Sequence, residues 1–492
     1  MHFSATKRGY FAAILFFGLL AMTARTAVDP DLWWHLRTGE WILEHHAVPH
    51  SDSFSFTRAD AQWVSHEWLS EVTFFALWKS GGPAALIVFS SIITTIGFLF
   101  LYFRCPTEPH WAAAATVIGA LASAPCWGTR PQMFTFALAS LLLWLLNRAE
   151  HFPRCLLCIP PLFLLWLNLH AGFALGPALL TLYTLGLGVE VATGRTAWGE
   201  ARRIILRVAA VTLVCLALVP LNPSGAQLYA YPFDTIRSSA MRTYIVEWFS
   251  PDFHHLLYAP LMFVFFLLLA ALASKISVKG RVLLPLLFTA FAALDAVRHI
   301  PIFILLAIPV IASAIPARFR STDLRPSRNL RTFYLSSTVV LLAVFALLRW
   351  VALAHAQSDD EAESYPERAV EYLRNNREPA NVFAYYDWGG YVLWKLAPQY
   401  RIFFDGRADL YGDDLLRQGL KTVTEIQQGW KAVLREYNVQ TVMVPPASKL
   451  AQALLLDRDW RICYRDPQAV LFIRTPPVIP AQQTVSSPFA SL

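Results

Sequence analysis

The chain has 492 residues, 56% of them hydrophobic and only 15% charged, with a mean hydropathy of +0.43. Soluble domains carry about a quarter charged residues, so this composition excludes an ordinary soluble enzyme. The net charge of +7 reads as a membrane-topology signal and argues for no nucleic-acid partner.

A membrane span needs roughly 20 apolar residues, and about eleven stretches approach that length. They run over 9–28, 84–103, 111–128, 132–147, 155–169, 172–190, 205–221, 256–274, 282–297, 300–316 and 333–354. Lys7 and Arg8 precede the first, which reads as a retained anchor rather than a signal peptide, because an odd span suits the charge pattern. Alternate short segments hold Lys7 and Arg8; Arg104; Arg148 and Arg154; Arg195, Arg202, Arg203 and Arg207; Lys275, Lys279 and Arg281; and Arg318, Arg320, Arg325, Arg328 and Arg331. The opposite segments are longer yet poorer in basic residues. The positive-inside rule then puts the N-terminus in the cytoplasm and everything after about Ala356 outside, in the plasma (inner) membrane.

The first span ends in DPDLWWHL (29–36). Asp29 followed by Pro30 is a common helix start, and Trp33 and Trp34 suit a membrane-interface belt. Capping leaves Asp31 and His35 unexplained, one helical turn apart on one face. They suit a base or a metal ligand for a substrate at the interface. The loop continues to residue 83. GEWILEHH and HEWLSEVTFFALWKSGG read as amphipathic helices on the membrane, and the latter opens with His66 and Glu67. HExxH is not completed there, so no zincin site is expected.

Arg130 in GTRPQ, His170 in NLHAGF, and Arg298 and His299 in DAVRHIP fall at outer ends of spans. Basic groups there are suited to a lipid phosphate; the bland alternative is snorkelling or a local pair such as Asp295 with Arg298. Ionisable residues are otherwise scarce within spans, which counts against a coupled transporter. The second outer segment, 222–255, contains Glu247, Asp252, His254 and His255 among aromatics. Cys155-x-x-Cys158 opens an apolar span without a partner pair, so ordinary membrane cysteines are expected.

After an acidic linker, QSDDEAES, residues 356–475 alternate helix and strand patterns, as in a small α/β domain. YYDWGGYV (385–392) ends a strand and starts a helix, and FFDGRADLYGDD (403–414) also lies at a strand end, where ligands favour α/β sheets. The tail 476–492 reads as disordered. The expected architecture is an α-helical polytopic membrane protein of about eleven spans: a transmembrane part, 1–355, and an extracytoplasmic α/β domain.

In the order of its parts the chain resembles the GT-C superfamily of membrane glycosyltransferases, which use polyprenyl-phosphate- or -diphosphate-linked sugar donors. It is most similar to the oligosaccharyltransferase catalytic subunit. That family's first loop has a D-P start followed by His and Arg, a helix, and a P-x-x-D turn; here these are DPDLWWHLRTGEWIL with Pro49 and Asp52. Its WWDYG motif reads the acceptor, and YYDWG (385–389) is similar, with an acid, Asp405, following. The resemblance covers the first loop and the first part of the outer domain; the spans match by count alone.

It implies Asp31, aided by Asp29 and His35, as the catalytic group, and Arg130, His170, Arg298 and His299 on the donor phosphate. It implies Tyr385, Tyr386, Asp387, Trp388 and Asp405 on the acceptor, which is a glycan, lipid or protein. A divalent metal, Mg²⁺ or Mn²⁺, is implied with Asp31 and His35 as candidate ligands. The chain departs in its second outer loop, CWGTRPQ, which has no acid where the family has a second acidic motif. Glu247, Asp252 and His66–Glu67 are candidates for its place. The alternative reading is a non-catalytic scaffold or lipid-binding protein whose outer domain grips a partner.

Overall fold

In a computed structural model the structure describes residues 2–274, 276–315, 328–426 and 429–475. Lys275, Arg318, Arg320, Arg325 and the tail 476–492 lie outside the described residues, as do the side chains of Arg328 and Arg331.

The chain up to Ser364 is helical among the described residues. α1 is His2–Thr23, α2 Leu32–His45, α3 Trp68–Arg104, α4 Pro109–Ser123, α5 Gln132–Ala149, α6 Ile159–Leu169, α7 Leu175–Ala192 and α8 Trp198–Leu218. Short helices α9 (Tyr231–Arg237) and α10 (Ser239–Tyr244) precede α11 (Ala259–Ala273), α12 (Gly280–Asp295), α13 (Ile300–Ser313) and α14 (Arg328–Ser364). Six helical segments among the described residues are long and apolar enough to cross a membrane: Trp68–Arg104, Gln132–Ala149, Ala171–Ala192, Trp198–Leu221, Leu256–Ala273 and Thr332–Ser364. Pro153–Leu169 and Val297–Ser313 are shorter apolar helices. This is a polytopic membrane protein with many lipid-sized apolar side chains exposed on α8, α11 and α14, where no aqueous core would leave them.

Helix α3 joins the last stretch of the first loop to a span. The join is Gly81–Gly82–Pro83, with Gly82 at φ 60, where a side chain is strained. The second helix expected in the first loop is therefore continuous in sequence with the next span. The first loop's other helix starts at Leu32, earlier than GEWILEHH suggests.

The C-terminal part comprises α15 (Glu367–Asn376), β1 (Asn381–Ala384), α16 (Tyr386–Leu396), β2 (Arg401–Ile402), α17 (Ala408–Thr424), α18 (Trp430–Glu436), β3 (Thr441–Val444), α19 (Lys449–Leu455), β4 (Trp460–Arg465) and β5 (Val470–Arg474). The sheet order is β2-β1-β3-β5-β4. β1 lies parallel to β2 and β3, whereas β5 is antiparallel to β3 and β4. β1 and β3 are buried along almost their whole length, as strands covered on both faces require. The first loop extends this sheet: Ser55 bridges Ile402, and the Phe56 N–H donates to the Ile402 carbonyl at 3.1 Å.

Two local expectations change. QSDDEAES is not a linker but the end of α14, which runs unbroken to Ser364. Trp33 and Trp34 are no interface belt: both are buried, and the Trp33 ring meets Trp78, Tyr365 and Tyr391 edge-on. The six cysteines are free, Cys155 and Cys158 included.

Candidate functional site

The acidic motif is fixed from both sides. Gln357 on α14 brackets the Ala27 backbone, accepting from its N–H at 2.7 Å and donating to its carbonyl at 3.0 Å. Tyr365 donates to the Val28 carbonyl at 2.5 Å, and Thr26 donates to Asp360 at 2.7 Å. The chain thus enters Asp29 in one conformation. Asp29 Oδ1 then accepts the Asp31 N–H at 3.0 Å, which begins the first turn of α2. Asp31 stands at the N-cap position but makes no side-chain cap hydrogen bond. Its Oδ1 accepts instead from the Trp34 indole N–H at 3.2 Å. The capping explanation fails for this carboxylate.

The C-terminal part closes on the motif through glycines. A Cβ on Gly390 would sit 3.0 Å from the Pro30 carbonyl, and one on Gly406 would collide with Asp31 Oδ1. A Cβ on Gly389 would collide with the Phe404 carbonyl. At Gly389 and Gly406 only hydrogen fits, and through Gly390 and Gly406 α16 and the turn before α17 lie directly against the start of α2. In YYDWG, Trp388 is buried and donates from its indole to Ser364. Tyr385 and Tyr386 are half-buried and Asp387 is exposed, within electrostatic reach of Arg130 and Asp29.

Asp405 occupies a different place from the other acceptor candidates. It is fully buried, and both its oxygens lie about 3.0 Å from the Arg407 guanidinium. Arg407 also donates to Asp52 of the first loop at 2.7 Å and to the Tyr411 hydroxyl at 3.2 Å, beneath the Phe54 and Trp63 rings. Burial by itself would raise the Asp52 carboxyl; Arg407 and Ser55 outweigh it and hold it below the ordinary value. Asp405 is therefore a fastener between loop and sheet and presents no face to an acceptor.

The basic candidates divide. Arg130 is an ion-pair partner of both Asp29 and Glu247. Arg298 stacks on the Trp248 ring, its guanidinium carbon 4.4 Å from the centroid, and interacts electrostatically with Glu67 and Asp31. It does not pair with Asp295, which accepts from Arg242 at 2.7 Å. His299 is turned to the backbone, Nδ1 lying 3.2 Å from the Ala292 carbonyl. His170 Nδ1 accepts the Gly172 N–H at 3.0 Å and lies 2.8 Å from the Thr135 hydroxyl. An accepting Nδ1 means a neutral ring with its proton on Nε2, a donor rather than a cation.

A second cluster lies behind Asp31. His35 is buried, its ring 3.9 Å from Glu67 and 3.8 Å from Glu71. His66 Nε2 is 3.5 Å from Glu67, and its ring packs on Tyr231 at 4.2 Å. Burial would keep His66 neutral, but Glu67 outweighs it and lifts the imidazole to about 9. Burial likewise opposes ionisation of Glu67, and His66 outweighs it and brings the carboxyl to about 2. The pair is a fixed ion pair near neutral pH. Asn222 holds it in place, donating to the His66 carbonyl at 3.4 Å and to Asn168 at 3.2 Å.

Asp31 differs from its neighbours. Withdrawal from bulk water raises its carboxyl to about 6, with Arg130 opposing and Asp29 adding to the rise. A carboxylate of that kind suits proton abstraction near neutrality. The divalent-metal expectation fits less well. Among the described residues no three His, Cys, Asp or Glu groups form a ligand set. Asp29 and Glu247 are taken by Arg130, and the ring of His35 is within ion-pair distance of Glu67 and Glu71. Mg²⁺ and Mn²⁺ prefer carboxylate, carbonyl and water oxygens to an imidazole, and the His35 ring faces Glu67 and Glu71, so the pair Asp31–His35 does not fit Mg²⁺ or Mn²⁺.

Gln357, Tyr365, Trp248, Tyr231, Glu71 and Arg407 escaped the sequence reading, although all are placed at or behind this site. Tyr365 and Gln357 carried a faint signal, since they sit beside an acidic run on an apolar helix. Trp248 adjoins Glu247, which was singled out.

No protein-family model matches the chain, and no curated protein sequence does. Solved structures do. The archaeal oligosaccharyltransferase AglB from Archaeoglobus fulgidus, in complex with an inhibitory peptide and a dolichol-phosphate, superposes with a TM-score of 0.58 at 12% identity, covering 96% of this chain and 75% of that one. The same organism's enzyme tethered to an acceptor peptide gives 0.53 at 12%, over 89% and 69% of the chains. ArnT from Cupriavidus metallidurans, bound to undecaprenyl phosphate, gives 0.51 at 13%, over 94% and 97%. The chain shares the fold of the AglB oligosaccharyltransferase and of ArnT.

Proposed function

We propose that the protein transfers a sugar from a polyprenyl-phosphate-linked donor to an acceptor at the outer face of the membrane. The observation that carries this reading is convergence. Asp29 and Asp31 from the first loop, Arg130, Glu247, Arg298 and His170 come from five separate segments to one end of the bundle. Two structural neighbours are bound to dolichol-phosphate and undecaprenyl phosphate, which supports a lipid-phosphate donor here.

Asp31 is the general base: it takes the proton of the acceptor nucleophile as that atom attacks the anomeric carbon. The lipid phosphate leaves with the glycosidic electron pair and gains negative charge. Arg298 and the His170 Nε2–H meet that charge in this reading. Arg130, engaged by two carboxylates, holds Asp29 instead of a phosphate. The His66–Glu67 pair and His35 support the wall behind Asp31. A single base facing one leaving group suits inversion at the anomeric carbon. Tyr385, Tyr386 and Asp387 are the acceptor side. In this reading the N-terminus is cytoplasmic and the part after α14 is the extracytoplasmic domain of a plasma-membrane protein.

The test is Asp31→Asn in membranes supplied with a polyprenyl-linked sugar and an extract of acceptors, with transfer followed by release of the lipid phosphate. Loss of roughly 10²-fold or more is expected for removal of a general base. Unchanged turnover in a folded Asp31→Asn protein refutes the assignment.

A further inference from the structure

Arg130 lies between two loops that each bring it a carboxylate. Its Nε faces Asp29 of the first loop, and its Nη1 faces Glu247 of the segment between α10 and α11. These side chains are only 24%, 11% and 27% exposed. A guanidinium is planar and donates along two edges, so one Arg satisfies two carboxylates at once. Without it, Asp29 and Glu247 would face each other across a partly buried corner with Asp31 two residues away. Hard divalent cations are bound by oxygen groups in that kind of setting.

We infer that Arg130 stands where a divalent cation would otherwise be required, so that this corner assembles independently of Mg²⁺ or Mn²⁺. The charge it supplies is permanent, because a guanidinium stays protonated throughout the working range. The sequence points the same way. Arg130 belongs to CWGTRPQ, the outer loop in which the resemblance leads one to expect an acid. An acid there would add a third carboxylate in need of a cation; Arg130 brings the cation as part of the chain. Glu247, a candidate for the missing acidic motif, completes the pair. The inference concerns cation binding and stands apart from the sugar-transfer reading.

The experiment titrates Mn²⁺ into the full-length protein in detergent, after EDTA treatment and desalting, with free Mn²⁺ followed by electron paramagnetic resonance. The wild type is expected to take up no stoichiometric Mn²⁺ and to keep one thermal midpoint in EDTA and in Mn²⁺. Arg130→Gln is expected to gain one Mn²⁺ per chain, and the added substitution Glu247→Gln to remove it. A wild-type protein that binds one Mn²⁺, lost in Asp29→Asn, overturns the inference; so does a folded Arg130→Gln that gains none. Should Arg130→Gln fail to fold, the comparison of wild type with Asp29→Asn decides alone. No substrate enters the measurement, so failure of the transferase reading leaves this result intact.

Discussion

Arg407 is the strongest mechanical test of how the first loop is held. Its guanidinium is fully buried between Asp405, from its own turn, and Asp52, from the first loop. Arg407→Met keeps much of the apolar stem and deletes the charge, stranding two buried carboxylates. Breaking a buried pair by removing one partner costs about 3–5 kcal/mol. Taking the lower figure, and about 1.4 kcal/mol per tenfold, the loop should open roughly 10²-fold more often. Limited proteolysis of the 50–63 segment reads that opening when reclosing outpaces cleavage. Adding Asp52→Asn and Asp405→Asn to Arg407→Met should recover most of the protection, since the stranded charges are then gone. Cleavage of Arg407→Met within about threefold of wild type, well inside the lower bound of that cost, would refute the fastener argument.

Gly406→Ala places a Cβ against Asp31 Oδ1 and should displace the carboxylate while leaving the fold intact. Turnover should fall by roughly 10²-fold, the scale of a misplaced catalytic group, with unchanged elution on size exclusion; full activity would show that Asp31 has other room. The raised carboxyl of Asp31, at about 6, sets a pH signature. A base must be ionised to act, so kcat/KM should be level above that pH and fall as pH drops through it. A profile flat down to pH about 4, the ordinary Asp range, would remove Asp31 from the role.

Much of this protein is legible along the chain. Apolar runs and Lys/Arg placement mark a polytopic membrane protein, because burial in lipid is decided residue by residue within one helix. Asp29, Asp31, Arg130 and Arg298 are visible as charges at span ends for the same reason, and Glu247 as an acid in the segment 222–255. The end of α14 was not legible. QSDDEAES reads as a linker because acids at a helix C-terminus oppose the helix dipole, yet Thr26 and Lys395 donate to Asp360 and Glu361 and let the helix continue.

Tertiary structure alone decided the pairings. Arg407 meets Asp52 across 355 residues of sequence, and no local pattern specifies such a partner. The same is true of Arg130: by itself it was a basic residue near a lipid headgroup. Only the fold puts Asp29 and Glu247 on either side of it, because a charge near a low-dielectric wall is satisfied by whatever opposite charge the packing brings there.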